Sequence, residues 1–103
     1  MKIIKNNKYE SLSKPQKELD FHNKGILKKE EIIDLLENFI KECKNEKIEK
    51  ALIITGKGIH SKDGRSIVRP IVENELSKNP EIKNFYESRI DRGGSGAIEV
   101  IFI

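Results

Sequence analysis

Cysteine is almost missing from this chain. Cys43 stands alone among 103 residues, which excludes a disulfide framework and a cysteine-based zinc cluster. Long hydrophobic runs are missing too. No apolar stretch approaches membrane-spanning length, and residues 1–4 (MKII) are too short for a signal-peptide core. Carboxylates are frequent, yet near the residues that carry chemistry only Asp20 and Asp63 are candidates, so nothing marks a two-metal site. No internal repeat occurs. What remains is a soluble single domain with one modest core, expected in the cytoplasm and without a membrane partner.

Charge is what the chain has in quantity. Hydrophobic and charged residues each make up 36%, the net charge is +3, and the pI is about 9.0. That balance is compatible with a polyanionic partner without demanding one. Lysine outnumbers arginine sixteen to four, and Arg65, Arg69, Arg89 and Arg92 all fall in one window. In a chain that defaults to lysine, arginine suggests planar, bidentate recognition.

Residues 53–70 are the stretch around which the chain is organised. The apolar run Ala51, Leu52, Ile53, Ile54 meets Thr55-Gly56-Lys57-Gly58, then a loop with His60, Ser61, Lys62, Asp63 and Arg65. A second apolar periodic segment begins near Ile67. Strand, glycine turn, basic loop and helix follow in that order. The two glycines let backbone N–H groups face an anion, and the helix start behind them adds more unpaired N–H groups. A bare G-x-G is also an ordinary tight βα turn. His60, Lys57 and Arg65 in the same loop favour a phosphate-handling site.

The remaining elements are read in chain order. Residues 1–18 form a basic arm, flexible or loosely docked, ahead of a domain spanning 19–103. Residues 19–22 alternate and predict a short strand, with Leu19 and Phe21 on one side and Asp20 and His22 on the other. On that reading the carboxylate orients the imidazole and raises its basicity. A turn covers 23–27. Ile32, Leu35, Leu36, Phe39, Ile40 and Cys43 form one stripe of a helix over 28–45, which makes Cys43 a buried thiol. A strand follows over 50–55, and the strand–helix–strand unit implies a right-handed parallel crossover.

Val68, Ile71, Val72 and Leu76 mark a second helix that starts between 66 and 70 and ends near 78, with Pro70 in its first turn. A polar strand over 82–90, a turn over 91–96 and an almost wholly apolar strand over 97–103 complete the chain. A polar strand belongs at an edge and an apolar one inside. The expected fold is therefore α/β, as an α+β two-layer sandwich, βαβαββ. Its mixed four-stranded sheet has order 1-2-4-3, with the last strand antiparallel and both helices on one face.

In that fold the three parallel strands end along one edge, where α/β sheets commonly take ligands. Asp20, His22, Lys57, His60, Arg65, Arg89 and Arg92 gather there. Two histidines, a carboxylate and several cations around glycine N–H groups suit a phosphodiester.

The segments Leu19-Asp20-Phe21-His22, Thr55-Gly56-Lys57-Gly58-Ile59-His60-Ser61, Gly64-Arg65-Ser66 leading to Arg69-Pro70, and Gly93-Gly94-Ser95-Gly96-Ala97 closely resemble the Smr domain. This small MutS-related domain occurs at the C-terminus of some MutS homologues and as a stand-alone protein, and the stand-alone form is the one resembled. The resemblance runs from about residue 18 to the end. It implies a fold similar to the C-terminal domain of bacterial translation initiation factor three, nucleic-acid binding and, in many members, endonuclease activity. Members are linked to DNA nicking, to suppression of recombination and to RNA cleavage on stalled ribosomes. The family's L-D-x-H motif maps onto Asp20 and His22, and its T-G-x-G-x-H-S motif onto Thr55 to Ser61. Asn23 stands where the family often carries glycine, and no MutS-type ATPase region is present.

The resulting expectation is an endonuclease. Asp20, His22 and His60 would do acid–base work; Lys57, Arg65 and the glycine loop would stabilise phosphoryl charge. Thr55, Gly56, Gly58, Ser61, Arg69, Arg89, Arg92, Gly93 and Gly94 would complete the phosphate-binding set. RNA cleavage through the 2′-hydroxyl needs no cofactor; DNA cleavage would call for a divalent cation such as Mg2+ at Asp20. RNA is slightly favoured over DNA. Two other readings stay open: a non-cleaving module for branched or structured nucleic acid, and a ribosome-associated factor.

Overall fold

Alternation in the strands and 3.6-residue spacing in the helices produce six principal elements. They are β1 (Lys17–Asp20), α1 (Lys29–Asn45), β2 (Lys50–Ile54), α2 (Val68–Lys78), β3 (Ile82–Glu87) and β4 (Ala97–Phe102). The computed structural model describes residues 14–25, 27–56, 67–88 and 94–103. The sheet runs β1-β2-β4-β3. β1 pairs parallel with β2, and β4 lies antiparallel to both β2 and β3. Strand order, orientation and layer count all match the order expected from the polar and apolar character of the strands.

The core lies between the helix layer and one face of the sheet. Ile32, Leu36, Phe39, Ile40 and Cys43 of α1 meet Val72 and Leu76 of α2 over Leu19, Phe21, Ala51, Ile53, Ile98, Val100 and Phe102. Those sheet residues alternate along their strands, as a face with period two requires. At the start of α1, the Lys28 backbone N–H donates to Glu31 Oε1 at 2.8 Å, supplying an otherwise unpaired group with a partner. Pro70 is the third residue of α2, inside the first turn, where a missing N–H does little harm. Lys17 ties edge strand β1 to the end of α1 through Glu46 at 2.9 Å. That hydrogen-bonded carboxylate raises the lysine above its ordinary range.

Two boundaries differ from expectation in an instructive way. The first strand lies at Lys17–Asp20, so Lys17 and Glu18 belong to the sheet, and His22 lies beyond it. Phe21 turns to φ −73°, ψ −25°, and residues 22–24 form one 3-10 turn. The apolar alternation carries on through Phe21, which stays buried, and so conceals the end of the strand. β3 ends at Glu87; the extension expected through residue 90 falls partly outside the described residues.

The helix-free face of the sheet holds a feature that the sequence analysis missed. Glu99, in the middle of β4, bonds Lys50 of β2 at 2.7 Å, with their side chains 0% and 3% exposed. Its other oxygen accepts from the Ser88 hydroxyl at 3.0 Å. A charge buried this deeply needs a partner. The lone carboxylate inside the apolar run 97–103 was the available signal.

Candidate active site

The strand registers define the rim on which the site stands. Asp20 pairs with Ile54, Ile54 with Ala97, and Glu87 with Ile98. The ends of the three parallel strands and the start of β4 therefore lie along one edge. His22 follows β1 there, Gly56 follows β2, and Gly94–Gly96 leads into β4.

His22 and Gly56 come into direct apposition. Gly56 has φ +80°, and a Cβ placed on it would lie 2.9 Å from His22 Nδ1. The imidazole thus occupies the space that any side chain at position 56 would need. Two backbone ties hold the partners. The Phe21 N–H donates to the Ile54 carbonyl at 2.8 Å, and the Gly56 N–H donates to the Gly96 carbonyl at 3.0 Å. Phe21 is also anchored in the core, so the exposed ring beside it starts from a fixed backbone.

The Gly96 carbonyl is the clasp of this rim. It accepts from the Thr55 N–H at 2.9 Å as well as from Gly56, with the Thr55 hydroxyl at 3.4 Å. Thr55 is buried, and its hydroxyl also lies 3.1 Å from the Gly56 carbonyl. The N–H groups of Thr55 and Gly56 therefore join the β2 turn to the turn before β4, so the Gly56 N–H, expected to face an anion, is engaged by the Gly96 carbonyl instead. Gly96 was legible only as part of a glycine-rich motif.

Asp20 is half-buried at the end of β1 and turns towards Asn23. Its Oδ1 accepts from the Asn23 backbone N–H at 3.2 Å and its Oδ2 from the Asn23 amide at 2.8 Å. No hydrogen bond or ion pair joins Asp20 to His22 among the described residues. The direct acid–imidazole contact expected from their spacing is replaced by one to the next residue along, because His22 has left the strand for the 3-10 turn.

Arg69 reaches the same edge from the helix layer. It sits in the first turn of α2 and bonds Glu73 at 3.1 Å and Glu87, at the end of β3, at 3.4 Å. Gly94 opens the turn that ends in Gly96. Lys57, Gly58, His60, Ser61, Arg65, Arg89, Arg92 and Gly93 lie outside the described residues. Among the described residues no group of three metal-ligating side chains converges, and no helix is long and apolar enough to cross a membrane.

The fold is thus a two-layer α+β domain with an imidazole seated on a glycine turn at the carboxyl ends of parallel strands. The chain matches the family model described as the Smr domain over residues 19–102. It belongs to that family, whose domains bind nucleic acid and are associated with nuclease activity. Among solved structures it is similar to YdaL, a stand-alone small MutS-related protein from Escherichia coli. There the TM-score is 0.75 at 28% identity, covering 90% of this chain and 70% of that one. It is also similar to the Smr domain of Thermus thermophilus MutS2, with TM-score 0.65 and 16% identity over 84% of this chain and 94% of that one. No curated protein matches it.

Proposed function

We propose that this chain is an endonuclease that binds nucleic acid along the strand-end rim and uses His22 for proton transfer at a phosphodiester. One observation carries the reading. The histidine of the family's acid-x-histidine motif stands exposed on the rim and is held in place against the glycine turn of the second motif. A group that moves protons must reach the substrate yet keep its orientation, and this placement supplies both.

RNA is the favoured substrate. In the reaction, an imidazole takes the proton of the 2′-hydroxyl as the 2′-oxygen bonds to phosphorus. The bond from phosphorus to the 5′-oxygen breaks, and that oxygen leaves with a proton from an acid. A 2′,3′-cyclic phosphate and a 5′-hydroxyl result. His22 takes one of the two proton roles, with His60 as its counterpart. Lys57, Arg65, Arg89 and Arg92 are assigned to the phosphates. For DNA, Asp20 is the residue that would hold a divalent ion to activate water. Its two oxygens already accept from Asn23, each with a lone pair to spare.

The test is single-turnover cleavage of end-labelled RNA and DNA, with and without chelator, followed by end-group analysis. A 5′-hydroxyl product that persists in chelator is the expected result. His22→Ala should lower the rate by about 10²-fold or more while binding is largely kept. A chelator-sensitive 5′-phosphate would overturn the RNA mechanism. Binding without cleavage of either polymer would leave the non-catalytic module. That second reading draws on the engagement of the Thr55 and Gly56 N–H groups by Gly96, which removes two donors from a transition-state cradle.

A further inference from the structure

The motif aspartate directs both of its oxygens to one residue, and that residue is not the histidine. Asn23 meets Asp20 with its backbone N–H and with its side-chain amide. The contact closes over a turn of only three residues, His22–Lys24. Within that turn, the Lys24 N–H returns to the Phe21 carbonyl at 3.1 Å. The Asn23 N–H is one of the donors that a helical start leaves unpaired, and the Asp20 carboxylate supplies its acceptor. The chain then leaves through Gly25 at φ +75°, with nothing within 4 Å of the position of its absent Cβ.

His22 is therefore framed by two tethered neighbours. Phe21 is fixed by its buried ring and by its bond to Ile54; Asn23 is fixed by Asp20. With both in place the imidazole projects onto Gly56. With the Asp20–Asn23 link cut, one backbone bond would be left to hold the turn, and the ring would lose its register on the glycine.

We propose that Asp20 serves the site by holding the turn that carries His22, and that Asn23 is the positioning residue through which it acts. The functional part of this inference rests on the nuclease reading above; the structural part does not. It gives the acid of the motif a role that requires no contact with the ring. It also gives Asn23, which replaces the family's frequent glycine, a second bond to the carboxylate that glycine, with its backbone N–H alone, could not make.

The test uses the full chain and two readouts. The first is the nuclear Overhauser contact between the His22 ring protons and the Gly56 Hα protons. The second is the split between kcat and KM for the cleavage reaction. Asn23→Ala should weaken the contact and lower kcat about tenfold with KM little changed, since misplacement costs rate rather than binding. Asp20→Asn keeps an acceptor for the backbone N–H and can pair amide to amide with Asn23. It should preserve the contact and lose at least about tenfold less activity than Asp20→Ala. Thermal melting confirms that each variant is folded.

The proposal falls if Asn23→Ala leaves both contact and rate unchanged. It also falls if Asp20→Asn is as inactive as Asp20→Ala while the contact survives, because Asp20 would then act on the substrate directly. If the wild-type chain cleaves nothing, the nuclease reading fails and the contact alone still decides whether the turn depends on Asp20 and Asn23.

Discussion

Nδ1 of His22 lies 2.9 Å from where a Cβ would stand on Gly56, so the two motifs of the family are locked together by the absence of a side chain. Gly56→Ala should act twice. The left-handed φ of +80° costs a non-glycine residue about 1–2 kcal/mol, and the added methyl must displace the ring. The expected outcome is a modest fall in melting temperature together with a much larger loss of cleavage. In a His22→Ala background the same substitution should cost little further activity. Additive losses would show that the glycine matters for something other than seating the ring.

How much of this was legible beforehand follows from the kind of signal each feature leaves. The apolar stripe of α1, the polar edge strand and the apolar central strand are periodic, and periodicity is written in the residues. The sheet order followed from them, and with it the rim. The pairing of His22 with Gly56 left no local trace, since it joins residues thirty-four positions apart across two turns. Alternation continued to residue 22 puts Asp20 beside His22 and predicts that the carboxylate orients the ring. The αR backbone of Phe21 ends the alternation sooner and delivers the carboxylate to Asn23.

Lys47 is the one described non-glycine residue with positive φ, at 58°. It follows α1 in a Schellman ending, in which the Ile48 N–H reaches the Cys43 carbonyl at 2.9 Å and the Lys47 N–H reaches Lys44 at 3.1 Å. Glycine is the preferred residue at that position. Lys47→Gly should therefore stabilise the domain by about 0.5–1 kcal/mol, the relief of left-handed strain exceeding glycine's added freedom in the unfolded chain. Urea unfolding at neutral pH checks the sign.

Cys43 gives the fold a pH dependence. Burial pushes its thiol from an ordinary 9.0 up to about 11. The unfolded chain therefore releases this proton first as pH rises, and unfolding is favoured from that point. The contribution is whole below pH 9 and is lost on the way to pH 11, at up to about 1.4 kcal/mol per unit. Cys43→Ala should be less stable than wild type at pH 8, with the gap narrowing between pH 9 and 11. A thiol reagent at pH 8 should label native Cys43 only as fast as the chain opens.

Lys50 and Glu99 offer the sharpest test of what holds the central strands in register. Their 2.7 Å bond is buried on both sides, with the Lys50 ammonium 5.8 Å from the centre of the Tyr86 ring. Removing one partner leaves a charge in a site with little water, so Lys50→Met or Glu99→Leu alone should cost about 3–5 kcal/mol. Removing both leaves neither charge stranded, and Lys50→Met/Glu99→Leu should recover most of that loss. A double-mutant cycle from urea unfolding gives the coupling directly. If the double variant is instead as unstable as the sum of the singles, the two side chains act independently. Ser88, which bonds the other Glu99 oxygen at 3.0 Å, would then be the partner to truncate next. Because the Ser88 N–H also donates to the Ala97 carbonyl at 3.0 Å, loss of the Glu99 carboxylate should reach the start of β4 through that residue. Glu99→Leu should therefore weaken nucleic-acid binding more than Lys50→Met does at equal loss of stability.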